Sequence, residues 1–251
     1  MKNYVIRDFE RRTSNSHFQM DRALSVERRC TDCKAICVRE EWSKNPNIPK
    51  NFKMEESMKK IIFATSNEGK MREVRLILAD CGYEVVSMKE AGVKVDVEET
   101  GTTFEENAIL KAEAVSRVTG EIAMADDSGL EVDYMNKEPG IYSARFLGED
   151  TSYDIKNQYI IDRLEQAVGE ERSARFVCAI ACVFPDGTKK VTRATIEGEI
   201  AFEPAGENGF GYDPIFYVPE FGKTTAELSM EEKNKISHRA KALEEMKKEL
   251  V

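Results

Sequence analysis

The sequence predicts an α/β protein built around a central, mixed and twisted sheet with flanking helices. From residue 60 onward, short apolar runs alternate with segments of helical periodicity. Late in the chain, the triplet Pro185-Asp186-Gly187 separates two long apolar stretches, which is a hairpin signal and adds antiparallel strands. The chain has 251 residues and is 41% hydrophobic, which is enough for one good-sized domain with a substantial core.

Local start and stop signals place the elements of this domain. Thr103-Phe104-Glu105-Glu106 and Ser229-Met230-Glu231-Glu232 have the form of capping boxes, so each is expected to open a helix. Gly129 is a turn signal, so the strand before it is expected to end at Asp126. Apolar periodicity predicts strands at 60–65, 83–86, 121–126, 174–184 and 189–200, and helices at 70–80, 103–118, 153–168 and from 237 onward.

Residues 1–57 lack this periodicity and are interpreted as a poorly ordered extension or small appendage, which leaves 58–251 as the principal domain. Three cysteines of the extension could ligate a metal, but their spacing matches no zinc pattern well and favours free thiols. They are Cys30, Cys33 and Cys37.

Composition excludes several classes of function. No run of about 18 apolar residues occurs, so no membrane partner is expected. Residues 1–57 carry 12 basic and 9 acidic side chains, whereas the remainder carries 25 and 37. An acidic domain repels nucleic acid, which leaves a small phosphorylated ligand as the anion that converging lysines and a metal could bind. Six cysteines without framework spacing indicate a reducing cytoplasm.

The run Thr65-Ser66-Asn67-Glu68-Gly69-Lys70 lies where the first strand leads into a helix. Free N–H groups and the positive dipole end at a helix N-terminus suit a phosphate, and Lys70 adds charge. The run is not a Walker A loop, because the Gly-x4-Gly-Lys-Ser/Thr pattern is missing. An ordinary asparagine cap on a helix explains the same residues, so both interpretations stay open on this stretch alone.

Two adjacent carboxylates, Asp126 and Asp127, follow the central apolar run. Successive side chains of a strand point to opposite faces, so only one of the two is expected to face a site. Glu98 and Glu99 could supply further oxygen ligands, because Mg2+ takes one or two carboxylates and completes its shell with water and phosphate. Lys111 lies on the helix that follows them. A solvated acidic loop and a surface Asp-Ser-Gly turn are the structural alternatives.

Two further stretches could bind a nucleoside. The glycine-rich loop at 206–214 contains two aromatic side chains and can lie against a flat ring, although a plain connector between strands has the same composition. Lys233 and the triplet Ser237-His238-Arg239 bring basic groups to a helix start, where a capped helix with a basic surface is the alternative.

Taken together, these stretches resemble the RdgB/HAM1 family of inosine triphosphate pyrophosphatase-like enzymes. The resemblance runs in order from about Lys59 to Leu250, and seven blocks in sequence are far more specific than any one of them. The blocks are 65–70 (Thr-Ser-Asn-Glu-Gly-Lys), 99–101 (Glu-Thr-Gly), 104–108 (Phe-x-Glu-Asn-Ala), 125–130 (Ala-Asp-Asp-Ser-Gly-Leu), 139–145 (Pro-Gly-Ile-Tyr-Ser-Ala-Arg), 210–214 (Phe-Gly-Tyr-Asp-Pro) and 237–239 (Ser-His-Arg).

The resemblance implies an activity and an assembly. Members of the family hydrolyse non-standard purine nucleoside triphosphates (ITP, dITP and XTP) to the monophosphate and pyrophosphate, with Mg2+ as cofactor. The implied protein is a house-cleaning hydrolase of the nucleotide pool. It would have a cleft between two lobes and would form a homodimer. The resemblance does not extend to residues 1–57.

The resemblance also implies a role for individual residues. Asp127 would act as general base or as a metal ligand that aligns the attacking water, with Lys70 as a second catalytic residue. Glu98 or Glu99 would complete the metal site with Asp127. Because a guanidinium only donates hydrogen bonds, Arg239 can pair with a 6-oxo purine and leaves the adenine amine unpaired. The implied substrate-binding residues are Thr65, Ser66, Asn67, Glu68, Gly69, Lys70, Lys111, Ser128, Phe210, Gly211, Tyr212, Asp213, Lys233, His238 and Arg239.

Other functions remain as alternatives to the implied activity. A nucleotide sensor would keep the pocket and lose turnover. A phosphohydrolase of standard triphosphates or sugar phosphates would differ in its products. A nucleic-acid role for the cysteine-containing extension is the weakest of these.

Overall fold

The computed structural model describes residues 59–65 and 67–250. The predictions for the N-terminal extension and for Ser66 lie outside the described residues. The strands are β1 (Lys59–Phe63), β2 (Tyr83–Ser87), β3 (Ile122–Val132), β4 (Ser173–Val183), β5 (Lys189–Ile200), β6 (Phe216–Val218) and β7 (Lys223–Thr224). The α-helices are α1 (Glu68–Ile77), α2 (Phe104–Thr119), α3 (Tyr153–Arg163), α4 (Met230–Ile236) and α5 (His238–Leu250).

The strands form a single seven-stranded sheet in the order β2-β1-β3-β4-β5-β6-β7. β1 pairs in parallel with β3, and every pair from β3 to β7 is antiparallel, so the predicted mixed sheet is confirmed. Cys178 and Cys182 are fully buried in β4, as expected of small core hydrophobes. No helix in the described part of the chain is both long and apolar enough to cross a membrane.

Most element bounds follow the sequence signals with small shifts. α1 begins at Glu68 rather than at 70, because the Asn67 side chain accepts hydrogen bonds from the backbone N–H groups of Gly69 and Lys70 and caps the helix. α3 ends at Arg163 rather than at 168. The strands β6 and β7 are too short for a periodic pattern to reveal them.

The predicted end of the central strand is wrong. β3 does not stop at Asp126 but continues to Val132, paired with β4 along the whole extension. Gly129 lies inside the strand, where a Cβ atom would be 2.3 Å from the Gly140 carbonyl oxygen and 2.6 Å from Ser143 Oγ. Glycine is therefore needed here for the close approach of a neighbouring segment and not for a turn.

The helices pack on two faces of the sheet. Met124 belongs to a cluster with α1 and α5, whereas Ala125 belongs to a cluster with α2. Because side chains alternate along a strand, Asp126 continues the face covered by α1 and α5, and Asp127 continues the face covered by α2.

Candidate active site

The two neighbouring aspartates of β3 are both buried and bind different partners. Asp126 contacts side chains from α1 and α5, and Asp127 contacts side chains from α2. The predicted separation of the two by strand alternation is confirmed. We call the first group the Asp126 array (Asp126, Lys70, Glu73 and Arg239) and the second the Asp127 array (Asp127, Glu99, Asn107, Lys111 and Arg145).

The Asp126 array holds one carboxylate between two cations. The Asp126 oxygens lie 2.9 Å from Lys70 Nζ and 3.3 Å from Arg239 Nε. The Arg239 guanidinium also contacts Glu73 at 2.8 Å, and Ser128 donates a hydrogen bond to Asp126 at 3.3 Å. Burial alone would raise the pKa of Asp126, but Lys70 and Arg239 hold it well below the usual range. Asp126 is therefore a fixed anion that orients two cations.

The Asp127 array places two carboxylates around one ammonium group. Lys111 Nζ lies 3.0 Å from Asp127 Oδ1 and 2.7 Å from Glu99 Oε1. The Asn107 side-chain amide donates to the other Asp127 oxygen at 3.3 Å. On the far side, Arg145 Nη1 contacts Glu99 at 2.8 Å. The two carboxylates therefore converge on a single cation.

The pKa values of the second array differ from those of the first. Burial raises the pKa of Asp127, and although Lys111 opposes this, the charge of Glu99 adds to it. Burial also acts to raise the pKa of Glu99, but Lys111 and Arg145 lower it overall. Asp127 is thus the more basic of the two β3 carboxylates, and the one suited to accept a proton.

The strand-to-helix run at 65–70 reaches the Asp126 array through Lys70. Thr65 is buried, and its hydroxyl accepts a hydrogen bond from the Asn67 backbone N–H at 3.2 Å. The Asn67 side chain occupies the N–H groups of Gly69 and Lys70, so the asparagine cap is confirmed. Glu68 is exposed at the helix start. Phosphate binding by this run stays a prediction.

The residues 209–213, which we call the aromatic loop, are organised by a buried carboxylate. Asp213 accepts hydrogen bonds from the Phe210 backbone N–H at 2.8 Å and from Lys233 Nζ at 2.6 Å. Gly209 has φ +81°, and a Cβ there would lie 2.2 Å from Asp213 Oδ2, so no other residue fits. The Phe210 ring is 48% exposed, with Lys233 Nζ 5.1 Å and Arg239 Cζ 5.9 Å from its centroid. The loop thus presents a flat face beside two cations.

Tyr212 supports this loop rather than lining its exposed face. Its side chain is buried and its hydroxyl donates to the Ser143 carbonyl at 2.8 Å. Ser143 belongs to the residues 139–145, which we call the arginine segment because they end in Arg145. The Ser143 hydroxyl accepts a hydrogen bond from the Leu130 backbone N–H at 2.9 Å, which ties the segment to β3.

His238 is buried at the start of α5, beside the Asp126 array. Its ring stacks on Phe176 with centroids 5.0 Å apart and an angle of 19° between the planes. Burial lowers the pKa of His238 well below its ordinary value, and the charges of Arg239 and Lys233 act in the same direction. Nδ1 is buried and has no hydrogen-bond partner within the described residues. His238 is therefore a neutral ring beside the Arg239 cation.

The two candidate metal ligands Glu98 and Glu99 differ in their surroundings. Glu99 belongs to the Asp127 array, whereas Glu98 is exposed and its carboxylate takes part in neither array within the described residues. Across those residues no cluster of three or more His, Cys, Asp or Glu side chains is arranged to hold an ion.

Comparison with known proteins identifies the family. Residues 61–249 match the sequence model of the Ham1 family. The chain belongs to the Ham1 family. A dITP/XTP pyrophosphatase of Bacillus licheniformis is 51% identical over 190 residues, which are 75% of this chain and 96% of that protein. A dITP/XTP pyrophosphatase of Bacillus subtilis is 49% identical over 191 residues, covering 76% and 96%.

Solved structures of the Ham1 family share the fold. The Ham1 protein of Staphylococcus aureus has a TM-score of 0.71 at 47% identity, over 76% of this chain and 98% of that chain. A HAM1 protein of Coxiella burnetii has a TM-score of 0.72 at 43% identity, covering 77% and 98%. The resemblance drawn from the seven blocks is confirmed, and the α/β fold class with it.

Two residues of the candidate site, Arg145 and Glu73, were given no role in the sequence analysis. Arg145 lies in one of the seven blocks, but no local pattern links it to Glu99, which is 46 residues earlier. Glu73 pairs with Arg239 across 166 residues. Its position three residues after Lys70 on α1 puts both on one helix face, and that spacing could have identified it.

Proposed function

We propose that this chain is a nucleoside triphosphate pyrophosphatase that hydrolyses dITP/ITP and XTP/dXTP to the monophosphate and pyrophosphate, removing them from the nucleotide pool. The observation that carries the proposal is the Asp127 array, in which the buried Asp127 carboxylate lies 3.0 Å from the Lys111 ammonium and Glu99 lies 2.7 Å from the same ammonium. Relatives about half identical to this chain are named for the same reaction.

The array can perform the central step with residues of this chain. Asp127 would either accept the proton of the water molecule that attacks the α-phosphorus or, as a metal ligand, align that water for attack. Lys111 has three N–H donors, of which Asp127 and Glu99 use two, so one remains for a phosphate oxygen. Lys70 likewise keeps a donor beside Asp126. Both lysines would stabilise the negative charge that builds on the leaving pyrophosphate.

We infer that the reaction depends on Mg2+, held by Asp127 and Glu99. The donor set fits this ion, because both ligands are hard carboxylate oxygens and they already converge on one positive charge, the Lys111 ammonium. When bound, Mg2+ would neutralise charge on the phosphates and polarise the reacting centre.

The aromatic loop and the Asp126 array would bind the base. A purine can stack on the exposed Phe210 ring, near the Lys233 and Arg239 cations. Arg239 uses two of its five donors on Asp126 and Glu73, which holds the guanidinium in place and leaves donors for a 6-oxo group. Neutral His238 adds a second polar contact on the same side. Adenine would leave these donors unpaired.

The assembly and the compartment are also inferred. We expect a homodimer, as the family resemblance implies, and light scattering behind size exclusion would test it. We expect the protein in the cytoplasm, where purine nucleotides are used. The three free cysteines of the described residues, Cys81, Cys178 and Cys182, fit a reducing compartment.

A product assay tests the proposed function. Purified protein with Mg2+ would be given dITP, XTP, GTP and ATP separately, and pyrophosphate and orthophosphate would be quantified independently. Release of pyrophosphate from dITP and XTP, with little from GTP or ATP, is the expected result. Orthophosphate as the main product, or equal use of ATP, would contradict the proposal. Tight dITP binding without turnover would point to a sensor instead.

A further inference from the structure

Two segments of the candidate site lie outside the sheet and outside the α-helices. The arginine segment brings Arg145 to Glu99 in the Asp127 array, and the aromatic loop presents Phe210 for the base. A bound nucleoside triphosphate would contact both segments at once, with its phosphates near the arginine segment (the phosphate end of the site) and its base near the aromatic loop (the base end). The separation of these two segments therefore has to be set by other residues.

Two adjacent residues of α3 bond to both segments. The Lys156 ammonium donates to the Ala144 carbonyl at 2.7 Å, one residue before Arg145. The Asn157 side-chain amide donates to the Gly211 carbonyl at 3.1 Å, in the middle of the aromatic loop. One turn of helix thus joins the phosphate end of the site to the base end.

Neither side chain is one that stability alone would favour at its position. Lys156 is 1% exposed, and within the described residues it makes one hydrogen bond and stands 4.8 Å above the Tyr153 ring. Asn157 is 3% exposed, and its Oδ1 has no hydrogen-bond partner there. A buried ammonium with few partners and a buried carbonyl with none both destabilise a fold. Apolar side chains of similar size would pack at lower free energy.

We propose that Lys156 and Asn157 are positioning residues that fix Arg145 and Phe210 relative to each other. The inference rests on the proposed function, because only a substrate that spans both ends is sensitive to their separation. A displacement of about 1 Å in a bound substrate is enough to lower a rate by about a hundredfold. Lys156 acts on the phosphate end through Arg145, and Asn157 acts on the base end through the loop.

Two apolar substitutions of similar size separate positioning from stability. In Lys156→Met we expect kcat for dITP to fall about tenfold with little change in KM, and in Asn157→Leu we expect KM to rise about tenfold. The melting temperature of each variant should equal or exceed that of the wild type. Lys156→Gln keeps an N–H donor and should recover most of the lost kcat. Gln158→Leu, on the exposed face of the same helix, is the matched control and should leave both constants unchanged.

Hydrogen exchange supplies a readout that does not depend on turnover. Lys156→Met should speed amide exchange in the arginine segment, and Asn157→Leu should speed it in the aromatic loop. Wild-type kinetics in both variants, or a loss of stability that parallels the loss of rate, would overturn the inference while the proposed function stands. If the wild type itself releases no pyrophosphate from dITP, the proposed function fails. The positioning role is then tested by exchange alone, and unchanged amide exchange in both variants would overturn it.

Discussion

The two faces of β3 carry the same side chain in different surroundings. On the face covered by α1 and α5, Asp126 lies between Lys70 and Arg239, and these cations hold its pKa well below the usual range against the effect of burial. On the face covered by α2, burial raises the pKa of Asp127, and its one direct cation, Lys111, is shared with Glu99. Two cations on one carboxylate therefore keep Asp126 ionised, whereas one cation shared between two carboxylates leaves Asp127 the more basic of the pair.

This difference predicts that the adjacent aspartates are not interchangeable. Asp126 orients the groups that would bind the base and the phosphates, while Asp127 would take the proton. Substitutions on one face of β3 should leave the groups on the other face intact.

The largest expected effect is on turnover through Asp127. Asp127→Asn removes the proposed proton acceptor while Lys111 stays paired with Glu99, so kcat for dITP should fall about a thousandfold with the melting temperature nearly unchanged. Steady-state pyrophosphate release checks the fall in kcat, and thermal unfolding of the same preparation checks the melting temperature. Near-normal turnover would remove Asp127 from the mechanism.

The second expected effect is on stability through Asp126. Asp126→Asn leaves two buried or half-buried cations with a neutral partner, and breaking such a pair costs about 3 kcal/mol. Urea unfolding would show a loss of this size, well above that of Asp127→Asn. Equal losses in the two variants would mean that the faces do not differ as described.

A matched pair of variants tests which glutamate serves the Asp127 array. Glu99→Gln should raise the Mg2+ concentration for half-maximal activity about tenfold or more, because this carboxylate borders Lys111 and Asp127. Glu98→Gln changes an exposed neighbour and is the control, with no expected shift. A shift in the Glu98 variant alone would reverse the assignment.

The smallest expected effect is a pH dependence of stability on the Asp126 face. Burial keeps His238 neutral in the folded protein, with its pKa well below the ordinary value of about 6.5 that the unfolded chain has. Below pH 6.5 the unfolded state therefore binds a proton that the folded state does not. Stability should fall by up to about 1.4 kcal/mol per pH unit down to the folded pKa, and should be unaffected above 6.5.

The variant His238→Phe isolates this contribution. Phenylalanine can keep the stacking on Phe176 and has no proton to bind. The difference in unfolding free energy between variant and wild type should change between pH 6.5 and pH 5 and stay constant between pH 7 and pH 8. A constant difference across the whole range would show that His238 is not held neutral.

The sequence was sufficient for most of the elements and insufficient for the contacts between them. Periodicity and caps placed α1, α2 and the β4–β5 hairpin close to their observed bounds, because those signals are local. The turn signal at Gly129 was misleading, since pairing with β4 and the close approach of Gly140 decide that position. Tertiary context overrides a local preference there.

The contacts of the candidate site also could not be predicted from local sequence signals. The residue types of both arrays are visible in the chain, but their pairing is not. In the Asp126 array, for example, Lys70 pairs with Asp126 across 56 residues and Arg239 pairs with Asp126 across 113. Alternation along β3 predicted that Asp126 and Asp127 would separate, because it depends only on strand geometry. Which cations each aspartate would gather depended on how α1, α2 and α5 pack, and no local pattern records that.

Isotope labelling tests the central claim most directly. Wild-type protein would hydrolyse dITP with Mg2+ in water enriched in oxygen-18, and mass spectrometry would locate the label in the products. Attack on the α-phosphorus by water activated at Asp127 predicts one labelled oxygen in dIMP and none in pyrophosphate. Label in pyrophosphate, or in released orthophosphate, would mean that water attacks another phosphorus and that the Asp127 array does not direct attack on the α-phosphorus.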